Sequence, residues 1–195
     1  LHKNIAVKSG DILSFGKLNY GFRCYLAVSG GFKTELVMNS RSMYKSITNQ
    51  FMLNNNDELP VLDTIANNKK HVVVKVDTNH FSSKKIDVFK GPEFDFLSNE
   101  QQQKLFSKAF TISKENNRMA YQLNETLAND LLPIITSSVL PGTVQLTPSG
   151  KLIILMRDCQ TTGGYPRILQ LKETSINVLS QKFTGQNITF RFVEY

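Results

Sequence analysis

The sequence contains few cysteines, because only Cys24 and Cys159 occur in 195 residues. Neither belongs to a C-x-x-C motif, and such a pair does not form the disulfide framework of a small secreted domain. We therefore expect two free thiols in a reducing cytoplasm. Long apolar runs are also missing, since the longest uninterrupted aliphatic stretch is Leu152–Met156. A membrane-spanning helix needs about 20 apolar residues, so the sequence predicts a soluble protein with no membrane partner.

The common catalytic and nucleotide-binding motifs are missing as well. No G-x-x-x-x-G-K-[ST], strand-linked G-x-G-x-x-G, G-x-S-x-G or H-E-x-x-H occurs in the sequence. The histidines His2, His71 and His80 are scattered, and none has a second ligand at metal-like spacing. We therefore predict no metal site and no self-sufficient nucleotide-binding or hydrolytic centre.

The positive charge is modest and lies in the first half of the chain. The net charge is +7, with 13 Lys and Arg against 7 Asp and Glu in residues 1–91, and 10 against 9 in residues 92–195. Basic residues form no run longer than pairs such as Lys69-Lys70, so we do not expect a nucleic-acid partner. The chain begins at Leu1 without a methionine or the zones of a signal peptide, so we expect it to be an internal part of something longer.

Most segments show short β-branched or aromatic runs bounded by turn-forming residues, which is typical of strands. So many short strands predict a mainly β fold, either a barrel or a sandwich. The predicted strands are Asp11–Phe15, Tyr20–Val28, His71–Asp77, Lys85–Lys90, Ala109–Lys114, Met119–Leu123, Thr143–Leu146, Leu152–Arg157, Arg167–Leu171 and Asn187–Val193.

Two short helices are predicted to cover the sheet. The first follows Ser98, a natural N-cap with Gln101 at the third helical position, and presents an apolar face formed by Leu105, Phe106 and Ala109. The second is predicted over Ser175–Phe183, with Ile176, Leu179 and Phe183 facing inward.

The strand pattern is lost in a polar, asparagine-rich segment between Asn49 and Lys70, which is the best candidate for a domain boundary. The second half, Gly91–Tyr195, has the pattern of a self-contained unit. We therefore predict one subdomain in residues 1–70 and a second in residues 71–195.

The first half offers one candidate binding residue. Gly30-Gly31 follows an apolar run and can either form a hairpin turn or direct backbone N–H groups toward an anion. Arg41 lies between two serines, and its guanidinium could bind a carboxylate or phosphate through paired donors. An ordinary surface arginine is the alternative.

Two further motifs in the second half carry charged or polar groups. Glu93 and Asp95 alternate with phenylalanines, so they could perform acid/base chemistry, although we favour the solvent face of an amphipathic strand. Arg118 and Tyr121 are three residues apart, which puts them on opposite faces of a strand unless a turn or bulge intervenes.

The densest polar segment is RDCQTTGGYPRI, Arg157–Ile168, directly after the apolar run that ends at Met156. Hydroxyl and amide groups beside Gly163-Gly164 can bring side-chain and backbone donors close to a ligand. Asp158 could hold threonine or arginine partners or act as a base. We favour a binding site at the end of a buried strand over a polar barrel corner.

Several segments of the chain resemble one known family. The segments GPEFDF, NRMAYQL, LPGTVQLTPSGKLIILMRDCQTTGGYPRI and YLAVSGGF…NSRSM occur in family order over nearly the whole sequence, and the D-x-Q-T-T-G-G-Y-P run is highly specific. They are similar to the family of KipA and the 5-oxoprolinase C subunit, also called the biotin-dependent carboxyltransferase or allophanate hydrolase subunit 2 family. The resemblance implies a cyclophilin-like β-barrel with two subdomains.

The resemblance implies three possible functions. The first is a component of an ATP-dependent 5-oxoprolinase that opens 5-oxo-L-proline to L-glutamate together with a KipI-like protein, the B subunit, and an A-subunit homologue. The second is the carboxyltransferase component of a biotin-dependent, urea carboxylase-like enzyme, although the chain has no Met-Lys dipeptide and hence no biotinyl carrier of its own. The third is a non-catalytic regulator that binds a KipI-like kinase inhibitor. We favour the first and expect no activity from the chain alone.

The resemblance also implies the site residues and shows where the chain departs from the family. Asp158 is the implied catalytic residue. The implied substrate-binding residues are Arg41, Arg118, Tyr121, Gln145, Gln160, Thr161, Thr162 and Tyr165. Family members usually begin with a stretch that is missing here, about the first third of their length. Ser138 stands where the family usually has glutamate, which removes a possible acid.

Overall fold

The structure is a computed structural model and describes residues 4–18, 21–62 and 78–194. It consists of two compact units, one formed by residues 1–14 and 24–75 and the other by residues 15–23 and 76–195. The predicted strand His71–Asp77 lies outside the described residues.

The first unit consists of turns and extended segments. No strand forms over residues 11–15 or 21–28, so two of the predicted strands are wrong. A strand forms only where a neighbouring strand can pair with it. The described part of this unit has only two isolated β-bridges, Phe32 with Val61 and Val37 with Ser40. None of its described residues is buried, which means that apolar alternation there has no core to face. Gly30 and Gly31 both adopt positive φ and form a turn.

The strands of the second unit are β1 Lys85–Lys90, β2 Phe110–Asn116, β3 Ala120–Thr126, β4 Ser137–Ser138, β5 Thr143–Leu146, β6 Lys151–Leu155, β7 Thr162–Gly163, β8 Arg167–Leu171 and β9 Asn187–Phe192. Seven of them form a closed barrel in the order β1-β8-β5-β6-β3-β2-β9. Neighbouring strands are antiparallel except β1 and β9, which run parallel. A separate ribbon pairs β4 with β7. The prediction of a mainly β barrel with few short helices is confirmed.

The barrel core follows from alternation along the strands. Ile86 and Val88 in β1, and Leu152 and Ile154 in β6, are fully buried at every second position. Because successive side chains of a strand point to opposite faces, this spacing directs one face of each strand inward. Burial of a side chain of this kind contributes about 1.5–3 kcal/mol relative to leaving it exposed.

The helices in the barrel unit are short, and one predicted boundary is displaced. Helix α2, Asn99–Ser107, begins at Ser98 with the predicted capping box, since Ser98 Oγ accepts from Gln101 N at 3.3 Å and Gln101 Oε1 accepts from Ser98 N at 2.7 Å. Helix α1 is Asn79–Ser82, and a 3₁₀ turn covers Phe94–Phe96. None of the described helices is long and apolar enough to span a bilayer.

Helix α3, Glu173–Leu179, begins and ends before the predicted Ser175–Phe183. Ile176 and Leu179 are buried as predicted, whereas Phe183 is 43% exposed because it lies beyond the helix end. Likewise, Ala109 lies beyond the end of α2 and is exposed. A local pattern therefore identified both helices but not where they end.

The end of β1 passes unusually close to β8. Gly91 N donates to Ile168 O at 2.9 Å, and a β-carbon at Gly91 would lie 2.1 Å from Arg167 O. Only glycine permits this approach of one backbone to another. The contact positions the start of β8 and, with it, the end of the polar segment that precedes this strand.

Candidate functional site

The polar segment after β6 begins next to the turn that precedes β3. Met156 N donates to Met119 O at 2.8 Å, and Asp158 N donates to Arg118 O at 3.0 Å. The Asn117 side chain stabilises this turn by accepting from Met119 N and Ala120 N at 2.7 and 3.1 Å. The pairing of the two strands therefore continues past their ends and brings the two polar motifs together.

Asp158 forms an ion pair with Arg118, with 3.1 Å between Oδ2 and Nε. Their side chains are 44% and 62% exposed. An exposed ion pair contributes at most about 1 kcal/mol to stability, so the geometry is not needed to hold the fold. The carboxylate is instead oriented by one arginine and remains accessible, which suits a group that binds or deprotonates a ligand.

The next residues form one strand of the small ribbon. Ser137 pairs with Gly163 and Ser138 with Thr162, and Val139 N donates to Thr161 O at 3.0 Å. No hydrogen bond among the described residues involves the following exposed side chains: Gln160, Thr161, Thr162 and Tyr165. Their polar groups are therefore available to bind a ligand. All four residues lie within seven positions of Asp158 in the sequence.

Gln145 lies directly beneath this ribbon. The residue is 2% exposed, and its Nε2 is a buried side-chain atom with no hydrogen-bond partner among the described residues. A β-carbon at Gly163 would lie 2.4 Å from that nitrogen, so glycine at this position lets the ribbon pass over the amide. A buried donor without a partner costs about 1–3 kcal/mol of stability. Unpaired buried groups of this kind are often found at functional positions.

A buried ion pair next to the ribbon was missed in the sequence. Glu93 accepts from Arg167 Nε at 3.0 Å, from Nη2 at 2.8 Å and from the backbone N at 2.8 Å. The interpretation of Glu93 as part of a solvent face is wrong, because Phe94–Phe96 forms a 3₁₀ turn that directs Glu93 inward. Asp95 is exposed and pairs with Lys90. Hydrogen bonds from Arg167 outweigh burial and lower the pKa of the Glu93 carboxyl.

The half-buried Cys159 also belongs to this loop. Burial raises the pKa of its thiol, and the neighbouring Asp158 carboxylate adds to the effect. A raised pKa keeps sulfur protonated near neutral pH, and the thiol, unlike the thiolate, is a poor nucleophile. Cys159 therefore lacks the lowered pKa that is typical of reactive cysteines.

The structure separates Tyr121 from Arg118 and Asp158. Tyr121 is fully buried in β3, where its hydroxyl donates to Lys182 O at 3.1 Å and accepts from Arg23 Nη2 at 3.2 Å. Lys182 is itself 2% exposed and donates through Nζ to Phe81 O at 2.7 Å. Burial lowers the pKa of Lys182, and the positive charge of Lys84 lowers it further. Tyr121 thus connects Arg23 to the chain after α3.

Tyr121→Phe is expected to reduce the free energy of unfolding by about 1–2 kcal/mol, because it leaves a buried backbone carbonyl and an arginine N–H without a partner. Chemical unfolding followed by far-UV circular dichroism measures the change. Tyr165→Phe, which removes an exposed hydroxyl, is the matched control and is expected to be neutral within about 0.5 kcal/mol. Equal stability of the two variants would contradict a structural role for the Tyr121 hydroxyl.

Arg41 belongs to the first unit, not to the unit that contains the barrel. Its guanidinium donates to Thr34 O, and it lines a cavity of about 570 Å³ together with Lys33, Glu35 and Asp57. Both charge signs line this cavity, so it shows no preference for an anion.

The closed barrel and the polar ribbon beside it define a β-barrel domain. The sequence matches the family described as "Carboxyltransferase domain, subdomain A and B" over residues 1–192. The chain therefore belongs to the carboxyltransferase domain family.

Relatives from bacteria carry a common name. The chain is 30% identical over 192 residues to the 5-oxoprolinase C subunit of Escherichia coli, covering 95% of this chain and 61% of that protein. It is 27% identical over 194 residues to the 5-oxoprolinase C subunit of Haemophilus influenzae, covering 96% of this chain and 61% of that protein. This chain thus spans 61% of the length of each of these relatives.

Two solved structures from Kluyveromyces lactis share the fold. The urea carboxylase of Kluyveromyces lactis superposes with a TM-score of 0.68 at 22% identity, covering 96% of this chain and 19% of that chain. The K. lactis urea amidolyase gives a TM-score of 0.67 at 21% identity, covering 96% of this chain and 13% of that chain. These likenesses support the fold.

Proposed function

We propose that this chain acts as part of a 5-oxoprolinase C subunit, which supports the ATP-dependent hydrolysis of 5-oxo-L-proline to L-glutamate. The observation that carries the proposal is the Asp158 carboxylate, oriented by Arg118 beside the exposed polar side chains of the ribbon. The two bacterial relatives, both named as the C subunit of 5-oxoprolinase, support this choice of reaction.

In this proposal the residues of the polar segment have distinct roles. Asp158 orients the substrate or accepts a proton, and Arg118 holds the carboxylate in place. Polar groups at defined positions bind the substrate and hold it in place for the reaction. The binding residues are Gln145, Gln160, Thr161, Thr162 and Tyr165. Tyr121 and Arg41 are not included, because their described contacts serve their own surroundings.

The proposal requires other subunits. A single carboxylate with neutral donors does not supply the phosphoryl chemistry of an ATP-dependent reaction, and these 195 residues contain no phosphate-binding motif. Gly163 instead belongs to the ribbon, and the next residue, Gly164, accepts through its carbonyl oxygen from Ile134 N at 2.9 Å. We therefore assign ATP to an A-subunit homologue or a KipI-like B subunit in a cytoplasmic complex.

Carboxyl transfer is a second candidate, favoured by the description of the family as a carboxyltransferase domain. In that case the same polar segment would bind the acceptor amide of a biotin-dependent enzyme. Biotin would be attached to a carrier elsewhere, because no Met-Lys dipeptide occurs in the sequence. Binding of an amide is common to both candidates.

Asp158→Ala is expected to lower ATP-dependent glutamate release from 5-oxoproline by about 100-fold or more, because it removes the carboxylate proposed as general base. The measurement uses the full-length protein reconstituted with its A- and B-like partners. Glu173→Ala is a matched control, since Glu173 is also an exposed carboxylate paired with an arginine, Arg157. The control is expected to retain activity within about twofold.

The outcomes separate the candidates. Unchanged activity of Asp158→Ala in an intact complex would remove Asp158 from the site. A complex that releases no glutamate but carboxylates an amide when a biotin carboxylase is added would support carboxyl transfer instead. If the complex has neither activity but the chain relieves the inhibition of a kinase by a KipI-like partner, the regulatory function would be supported.

A further inference from the structure

A small cavity adjoins the ribbon on the side of strands β5 and β8. It has a volume of about 170 Å³, and only Arg167 among its lining residues comes from the polar segment after β6. Ser138, at its edge, pairs with Thr162 of that segment, so the cavity and the segment share the ribbon. The lining residues are Pro92, Ser138, Leu140, Thr143, Arg167, Leu169 and Gln170.

Arg167 is the charged residue among the described residues that line this cavity. Its Nε and Nη2 donate to Glu93, and its Nη1 donates to Ser138 O at 3.0 Å. A guanidinium has five N–H groups, so these three bonds leave two donors for a ligand. The side chain is 17% exposed and held by three separate bonds, which fixes the direction of the remaining donors.

The charge of Arg167 is already balanced. Both carboxylate oxygens of Glu93 accept hydrogen bonds from the guanidinium, Oε1 from Nη2 at 2.8 Å and Oε2 from Nε at 3.0 Å. The Glu93 side chain is 11% exposed. A ligand carboxylate bound to the two remaining N–H groups of Arg167 would be repelled by the Glu93 carboxylate, because water screens charges poorly at this partly buried position. A neutral carbonyl oxygen accepts the same hydrogen bonds without that repulsion.

The remaining lining suits a compact ligand. Pro92, Leu140 and Leu169 supply apolar surface. The Gln170 amide is held in place, since Nε2 donates to Pro141 O at 2.8 Å and Oε1 accepts from Thr143 Oγ1 at 2.9 Å. Binding sites for drug-sized ligands have volumes of about 300–1,000 Å³, so this cavity can accommodate only a small ligand or one end of a larger one.

We propose that this cavity binds the neutral amide or lactam group of a small substrate, with the free N–H groups of Arg167 donating to the carbonyl oxygen. The inference rests on the proposed function for the identity of the substrate, because the lactam ring of 5-oxoproline is such a group. The cavity then holds the ring, and the polar segment on the other strand of the ribbon supplies Asp158. Hydrogen bonds from the guanidinium polarise the carbonyl.

The test is titration of the full chain with 2-pyrrolidinone, a neutral lactam, followed by the NMR shifts of backbone amides at Ser138, Leu140 and Leu169. We expect saturable shifts with a Kd on the order of millimolar, because the ligand has few atoms. Acetate at constant ionic strength is expected to bind at least about tenfold more weakly. Absence of saturable shifts, or equal binding of acetate, would overturn the proposal, and both titrations use the unmodified chain.

Ser138→Phe is expected to weaken 2-pyrrolidinone binding by about tenfold or more, because the ring occupies the edge of the cavity. Thr136→Phe is the matched control: it adds the same ring at an exposed position that does not line the cavity, and is expected to bind within about twofold of the unmodified chain. Equal affinity of a folded Ser138→Phe variant would contradict the assignment of the cavity.

Failure of the cavity and failure of the proposed function give different results. Saturable lactam binding in a chain whose reconstituted complex releases no glutamate would overturn the proposed reaction and leave the cavity intact. Glutamate release by a complex in which this chain shows no lactam binding at these residues would overturn the cavity alone.

Discussion

Gly91→Ala is expected to lower the free energy of unfolding of the barrel by about 3 kcal/mol. The added β-carbon would lie 2.1 Å from Arg167 O and 2.8 Å from the carbonyl carbons of Arg167 and Ile168. These are backbone atoms, so no side chain can rotate to relieve the clash. Strands β1 and β8 must separate, which weakens the bond from Gly91 N to Ile168 O. Denaturant unfolding followed by far-UV circular dichroism measures the loss.

Gly16→Ala provides the control for this variant. Among the described residues no heavy atom lies within 4 Å of a β-carbon at Gly16, and the φ of Gly16 is not positive. The same chemical change is therefore expected to alter stability by no more than about 0.5 kcal/mol. Equal destabilisation by the two variants would show that the close approach of Gly91 to β8 is not what the alanine disturbs.

Glu93→Ala is expected to destabilise the barrel by about 3 kcal/mol, because it leaves the charge of Arg167 in a poorly solvated place without its partner. The pair links the segment after β1 to β8, and Arg167 also holds Ser138 in the ribbon. Asp95→Ala is the matched control, since the Asp95 carboxylate forms an exposed ion pair with Lys90 at 3.0 Å. That loss is expected to be at most about 1 kcal/mol.

The same ion pair makes stability depend on pH. Hydrogen bonds from Arg167 place the pKa of Glu93 in the folded chain below its ordinary value of 4.5. The carboxylate therefore contributes stability that is complete above pH 4.5 and is lost as pH falls through the lowered pKa. Unfolding of the unmodified chain and of Glu93→Gln between neutral pH and acid measures this slope. Parallel curves would contradict the assignment.

Gly91→Ala and Glu93→Ala are also expected to affect the candidate site. Gly91 and Glu93 both hold the start of β8, and Arg167 connects that strand to the ribbon that carries Thr162. A ribbon of two short strands has little stability of its own. The barrel therefore positions the binding groups through a few contacts near Arg167, and residues that touch no substrate are expected to influence the site.

Much of the barrel could be predicted from local patterns. Strand β5 was predicted with its observed bounds, and the capping box at Ser98 located the start of α2. The prediction of strands at 11–15 and 20–28 failed because apolar alternation indicates a strand only where a partner strand and a core exist. For the candidate site, the polar density after Met156 marked the segment, whereas the contact of Asp158 with Arg118 required the pairing of β3 with β6.

The amino-acid sequence by itself determined the mainly β class, the start of α2 and the polar segment around Asp158, because period-two alternation, capping residues and clusters of polar groups act within a few residues of one another. The tertiary structure decided the rest. Closure of the barrel through the parallel pairing of β1 with β9, and the pairing of Glu93 with Arg167 74 residues later, join segments far apart in the chain. Such contacts depend on how the strands are arranged in space, which local periodicity does not specify.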